Sequence, residues 1–220
     1  MIKKIYLLPS ILILSAGTAQ ADGLYISGKV GASTLGHTIE RNIGTTTLPV
    51  QDTSGVSSVT ETGVSLGIGV GYTFDINEML FVGGEAFYNY ENASTRNINS
   101  VLVTDIDLEH TYGGRFIAGA HVTDKFSLYA HAGATVLDFD INNSYTFAPP
   151  VREASSHEVA FSYGLGADYK LDDNVSVFAE FTQIKDVGFT PIPEVAGGTG
   201  RINPNDLDLG RISLGVKYSF

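Results

Sequence analysis

The chain contains no cysteine and no tryptophan, and only 17% of its 220 residues are charged. Without cysteine there is no disulfide framework, no thiolate metal site and no cysteine nucleophile. Bases are scarce too: 13 Lys and Arg stand against 24 Asp and Glu, for a formal net charge of −11. Nucleic-acid binding draws on clustered bases to neutralise phosphates, so this balance excludes it. After residue 22 there is no apolar run of the roughly 18 residues that a membrane-crossing helix requires. What the chain has instead is 25 glycines, 11 tyrosines and many Thr, Ser and Val, the residues of sheets and turns.

The first segment is set apart from the rest. Lys3 and Lys4 precede an apolar run over 5–16, about 12 residues and too short to span a bilayer. It leads into Ala19-Gln20-Ala21, the small-x-small pattern of a signal-peptidase site. The sequence therefore predicts a signal peptide over 1–21, cleaved after Ala21, and one domain over 22–220. No lipobox cysteine accompanies it.

Beyond Asp22 the pattern is alternation. Val64, Leu66, Ile68, Val70, Tyr72 and Phe74 interleave with Ser65, Gly67, Gly69, Gly71 and Thr73. A period of two is the mark of an extended strand with two unlike faces. Segments of this kind lie at about 24–33, 64–74, 79–90, 110–122, 126–137, 158–171, 175–184 and 207–220, which makes eight strands. Three connections are short (75–78, 123–125 and 172–174), and four are long (34–63, 91–109, 138–157 and 185–206). In each strand the uncharged face is the apolar one, and the smaller, more polar face carries the charges. That is the inverse of a soluble barrel and is what lipid contact demands, since a charge at the bilayer midplane costs roughly 2–4 kcal/mol. An open sheet edge in hydrocarbon leaves backbone groups unpaired, so the predicted fold is all-β: a closed, transmembrane, eight-stranded antiparallel up-and-down barrel. Its interior is narrow enough for side chains to fill, and the inward glycines, Gly67, Gly69, Gly71, Gly164, Gly166 and Gly215, leave room for longer residues opposite. A repeat supports a hairpin-built chain: Gly67 to Asn77 and Gly164 to Asn174 are both a glycine-spaced strand running into an Asp/Asn turn.

The last residues are the most specific local signal. Ile212, Leu214, Val216, Tyr218 and Phe220 alternate with Arg211, Ser213, Gly215, Lys217 and Ser219, and Phe220 is terminal. Val216, Tyr218 and Phe220 resemble the signature by which the barrel-assembly machinery accepts its clients. With that terminus and the alternation over 22–220, the chain resembles the small eight-stranded outer-membrane barrels of the OmpA-transmembrane-domain, OmpX and opacity-protein type. The resemblance implies a bacterial outer-membrane protein surrounded by outer-membrane lipid, a monomer, exposing four long external loops for adhesion or immune contact with a host-surface receptor. It also implies an inward acid/base cluster, for which Glu85, Arg115, Glu180 and Arg211 are the candidates, with Lys29, Asp168, Lys170 and Lys217 joining or bordering them. Balanced inward pairs read as a structural plug of the lumen, and the sharper alternative is a gate for a narrow, weakly conducting channel.

A lipid-modifying enzyme is the remaining alternative. The best nucleophile, base and acid grouping is Ser155, Ser156, His157 and Glu158, but it reads as a polar loop edge. His37, His110, His121 and His131 are scattered without metal-ligand spacing. The sequence thus predicts no enzymatic activity, cofactor or metal. Acids concentrate in the long connections, among them Glu61, Asp105, Asp107, Glu109, Asp138 and Asp140, which keeps those segments solvated.

Overall fold

The computed structural model describes residues 23–43, 57–98, 102–145, 152–187 and 200–220. The signal peptide over 1–21 and its cleavage after Ala21 lie outside these residues. Eight strands follow in chain order: β1 (Leu24–Ile43), β2 (Ser57–Asp75), β3 (Leu80–Ile98), β4 (Leu102–His121), β5 (Phe126–Tyr145), β6 (Arg152–Lys170), β7 (Val175–Val187) and β8 (Gly200–Ser219). Each pairs antiparallel with its sequence neighbours, and β1 pairs with β8, so the sheet is a closed barrel. Closure removes both edges, which is what hydrocarbon surroundings require of a sheet.

The alternation of the sequence maps onto the wall as predicted. Leu66, Ile68, Phe74, Phe116, Phe161, Leu165, Ile212 and Leu214 are each more than half exposed on the outside. Ser27, Ser65, Glu85, Arg115, Ser127, Glu180 and Arg211 are buried inside. The tight turns between β2 and β3, β4 and β5, and β6 and β7 share one device. Asn77 Oδ1 accepts from the backbone N–H groups of Met79 and Leu80 at 2.8 and 2.9 Å, and Asp172 Oδ1 from those of Asn174 and Val175 at 2.9 and 2.8 Å. Thr123 Oγ1 does the same for Phe126 at 3.0 Å. A short polar side chain that mimics a backbone acceptor is what lets these four-residue turns close.

Two features depart from the sequence reading. The strands are far longer than the alternation suggested, seven of them 19 or 20 residues and only β7 as short as 13. Much of what reads as long connection is strand: 34–43, 57–63, 91–98, 102–109, 138–145 and 152–157. Twenty residues at about 3.3 Å each, tilted by about 40°, rise about 50 Å, twice the roughly 25 Å apolar band of such barrels. Past that band neither face meets lipid, so the hydrophobic alternation fades while ladder pairing continues.

The second departure is inside. At the long-strand end the barrel interior is apolar: Leu35, Ala93, Leu108, Leu137, Phe139, Ala160, Ile184 and Leu209 form one cluster, every member at most 6% exposed. Leu108 enters it through a register shift between Leu108 and His110 against β5, which reverses the facing of β4 beyond that point.

At the turn end the interior is organised by a repeated wedge. Tyr25, Phe81, Tyr129 and Phe178, on β1, β3, β5 and β7, stand directly opposite Gly71, Gly119, Gly166 and Gly215 on the next strand. A Cβ built on any of the four glycines would fall 2.2–2.4 Å from a ring carbon of its partner. Gly71, Gly119, Gly166 and Gly215 are thus the seats of four aromatic rings.

Candidate functional site in the barrel lumen

Between the aromatic wedges and the apolar cluster lies a layer of charge. Glu85 and Arg115 face each other across the β3–β4 ladder. The Arg115 guanidinium reaches two carboxylates at once, with Nη2 2.8 Å from Glu85 Oε1 and Nη1 2.8 Å from Glu180 Oε2. Tyr25 donates its hydroxyl to Glu85 Oε2 at 2.8 Å, and Tyr129 donates to Glu180 Oε2 at 3.2 Å. Lys29 Nζ lies 3.5 Å from Glu180 Oε1, and Thr182 donates to the same oxygen at 3.2 Å. The Phe87 ring borders both cations, 5.6 Å from Lys29 Nζ and 5.8 Å from Arg115. Two acids and two bases balance, with hydroxyl donors on the carboxylate oxygens, which is how buried charge is tolerated.

Arg211 is not part of that set. Its Nη2 bonds Glu91 Oε1 and lies 2.9 Å from Thr111 Oγ1, while Ser33 donates to Glu91 Oε2 at 2.5 Å. Glu91 reads as a connection residue in the sequence, yet it is buried on β3 and completes a second balanced pair. The signal was available: Glu91 continues the inward series Glu85, Phe87, Asn89. A third pair closes the turn end, where Lys217 Nζ sits 2.7 Å from Asp168 Oδ2, with Ser176 donating to the same oxygen at 3.1 Å. The Lys217 ammonium also lies 4.9 Å from the Tyr25 ring centre and 5.8 Å from those of Tyr129 and Phe178. Lys170 is exposed at the rim and joins none of these pairs. The space left among Tyr25, Phe81, Glu85, Arg115, Ile117, Tyr129 and Lys217 is about 10 Å³, room for one water molecule at most.

The terminal residues lie on the outer wall. Val216, Tyr218 and Phe220 are each about half exposed, Tyr218 and Phe220 meet edge-on at 5.2 Å, and the Phe220 N–H donates to the Leu24 carbonyl at 3.0 Å. The side chains of Ser155 and Ser156 lie outside the described residues. The partner of His157 is Asp138 on the neighbouring strand, 2.5 Å from its Nδ1 and absent from the sequence-predicted grouping. No group of three or more His, Asp or Glu among the described residues is arranged to hold a metal ion.

An inside-out wall around a charged lumen is the architecture of an outer-membrane barrel, and a family model described as the outer membrane protein beta-barrel domain matches residues 6–220. The chain belongs to that family. This outer-membrane barrel is accordingly a bacterial outer-membrane protein. Among solved structures it is similar to Neisserial surface protein A, at 14% identity and a TM-score of 0.53, over 90% of this chain and 97% of that one. It is also similar to OprG of Pseudomonas aeruginosa (11% identity, TM-score 0.49, 91% and 97% covered). Ail, the attachment invasion locus protein of Yersinia pestis, matches at 16% identity and a TM-score of 0.43, with 90% and 99% covered. These likenesses concern the fold. No curated protein matches the chain in sequence.

Proposed function

We propose that this outer-membrane barrel is a monomeric surface-display protein whose lumen is closed by its own side chains. The turn end faces the periplasm, and the long-strand end faces outward to make adhesive or immune contact with host surfaces. The observation that carries the reading is the unequal reach of the wall. On the turn side the strands stop within a residue or two of the apolar belt, whereas on the other side β1, β4, β5 and β8 run far past it. Strands that outrun the lipid extend a rigid platform into the medium, and rigid scaffolds that present connecting segments are the usual carriers of recognition. Neisserial surface protein A, which shares the fold, is by its name a surface protein, in keeping with such a role. Cells displaying the barrel are expected to bind host-cell monolayers and to lose that binding when 44–56 and 188–199 are replaced by short Gly-Ser linkers. Undiminished binding by the shortened barrel would remove the adhesive reading.

Closure of the lumen is supported by the small void among the charge pairs and by the apolar cluster stacked above it. Planar bilayers carrying the purified protein are expected to show no resolved ion steps. Steps that vanish on neutralising Arg115 would replace closure by a gated channel.

We also assign Val216, Tyr218 and Phe220 to recognition by the barrel-assembly machinery. All three project from the wall at the strand that must close against β1, where assembly is completed. Deleting Phe220 is expected to leave most of the chain in the periplasm, seen by fractionation. Normal insertion of the shortened chain would show that the terminus is dispensable.

A further inference from the structure

At the turn end the barrel opens into a polar vestibule of about 540 Å³, outside the charge layer of the lumen. Three of its wall residues come from three strands and form one hydrogen-bonded line. Asp75 ends β2, His121 ends β4, and Ser127 is the second residue of β5. The β4–β5 register sets His121 directly opposite Ser127. His121 Nδ1 lies 2.9 Å from Ser127 Oγ, and His121 Nε2 lies 3.2 Å from Asp75 Oδ1. The imidazole stacks on Phe81 with ring centres 4.9 Å apart and planes inclined by 28°, which holds the ring in the plane that serves both partners.

The chemistry of this line is directional. A carboxylate on one ring nitrogen keeps the N–H at that position, so the other nitrogen is left as an acceptor. With Asp75 beside Nε2, the tautomer this geometry favours carries its proton there and presents Nδ1 to the Ser127 hydroxyl as the acceptor. A hydroxyl bonded to a base that is itself oriented by an acid is the general arrangement of an activated oxygen nucleophile, recognised by geometry and not by chain order. Lys170 and Lys217 line the same vestibule together with Asp168, Asp172 and Asp173, so the pocket that the line opens on is polar and charged. Next to His121 the β4–β5 ladder is already paired without a break from His110 to His121, so side chains that served only to join the two strands would add little to it.

We propose that Ser127, His121 and Asp75 form a nucleophile, base and orienting acid that hydrolyse small acyl esters entering the vestibule. Ser127 Oγ attacks the ester carbonyl carbon as its proton passes to His121 Nδ1. The bond to the alcohol oxygen breaks, and His121 returns the proton to the departing alcohol, leaving an acyl-serine. Water then attacks the acyl carbon, gives its proton to His121, and displaces Ser127, which recovers its hydroxyl proton as the carboxylic acid leaves. A cavity of about 540 Å³ is within the range of small-molecule sites and suits a short acyl chain. In the orientation proposed above the ester arrives from the periplasm, but the chemistry stands independently of that orientation and of the adhesive reading.

The test uses the full barrel folded in detergent micelles, with para-nitrophenyl acetate as substrate and a fluorophosphonate as covalent probe. Hydrolysis above the micelle background is expected, with the phosphonate found on the peptide carrying Ser127. Ser127→Ala and His121→Ala are each expected to lower the rate by roughly 10²-fold or more, the size of a general-base contribution. Asp75→Asn, at an exposed turn end that leaves folding intact, keeps the test decisive if the others misfold, and a loss of roughly tenfold or more is expected. His157→Ala, at the opposite end, is expected to hydrolyse like the parent. No hydrolysis by the folded parent, labelling elsewhere, or a rate unchanged by Asp75→Asn overturns the assignment.

Discussion

Replacing Arg115 by leucine is expected to lower the unfolding free energy of the barrel by about 3–5 kcal/mol, the usual cost of removing one partner from a buried ion pair. The size follows from what Arg115 leaves behind. Its guanidinium is the counter-charge of two carboxylates, and without it Glu85 keeps only the Tyr25 hydroxyl while Glu180 keeps Lys29 at 3.5 Å. The measurement is a urea titration in micelles, following the heat-modifiable gel mobility of the folded form. Because the loss comes from a stranded carboxylate and not from the pair's own attraction, the double variant Glu85→Leu with Arg115→Leu is expected to recover more than half of it. If Arg115→Leu unfolds at the parent's urea concentration, the lumen charges are hydrated and the pairing is of no structural consequence.

The second large effect is expected away from any charge. Phe139→Ala should cost about 3–5 kcal/mol by the same titration, as for a large aromatic removed from a packed interior. Phe139 is 1% exposed and shares its cluster with Leu35, Leu108, Leu137, Ile184 and Leu209. The comparison that makes the result informative is Phe161→Ala. Phe161 is 61% exposed on the outer wall, so its ring exchanges one apolar surrounding for another and its loss should cost much less. Equal costs at the two positions would mean that the upper interior is not packed.

The parts of this barrel that lipid constrains were legible in the sequence, and the parts it does not constrain were not. Inside the membrane one face must be apolar and the other must hold every charge, so the facing of Glu85, Arg115, Glu180 and Arg211 follows from counting by twos. Beyond the apolar belt that rule lapses, and segments such as 34–43 and 138–145 continue as strands without announcing it. Glu91 was missed for this reason, although it carries the same parity as Glu85. The inward turn of Leu108 depends on a register shift at His110, and no local pattern marks where a ladder slips. Which acid meets which base was not legible either: Arg211 meets Glu91, 120 residues away, because of how β3 and β8 are spaced around the barrel. The line from Asp75 through His121 to Ser127 is likewise a product of ladder register, since the three residues share no motif.

The four aromatic rings seated on four glycines carry a further implication, for how the wall is assembled. Each belongs to one hairpin, so each hairpin holds its own gauge of alignment. A slip of one residue would turn the ring outward into lipid and its inward neighbours with it. A slip of two would drive Phe81 against Ile117 or His121, and Phe178 against Ser213 or Lys217, where no seat exists. Misalignment of these two hairpins is therefore rejected in either direction before the first strand meets the last, whereas in the other two a slip of two one way would set Tyr25 against Gly69 or Tyr129 against Gly164, glycines again.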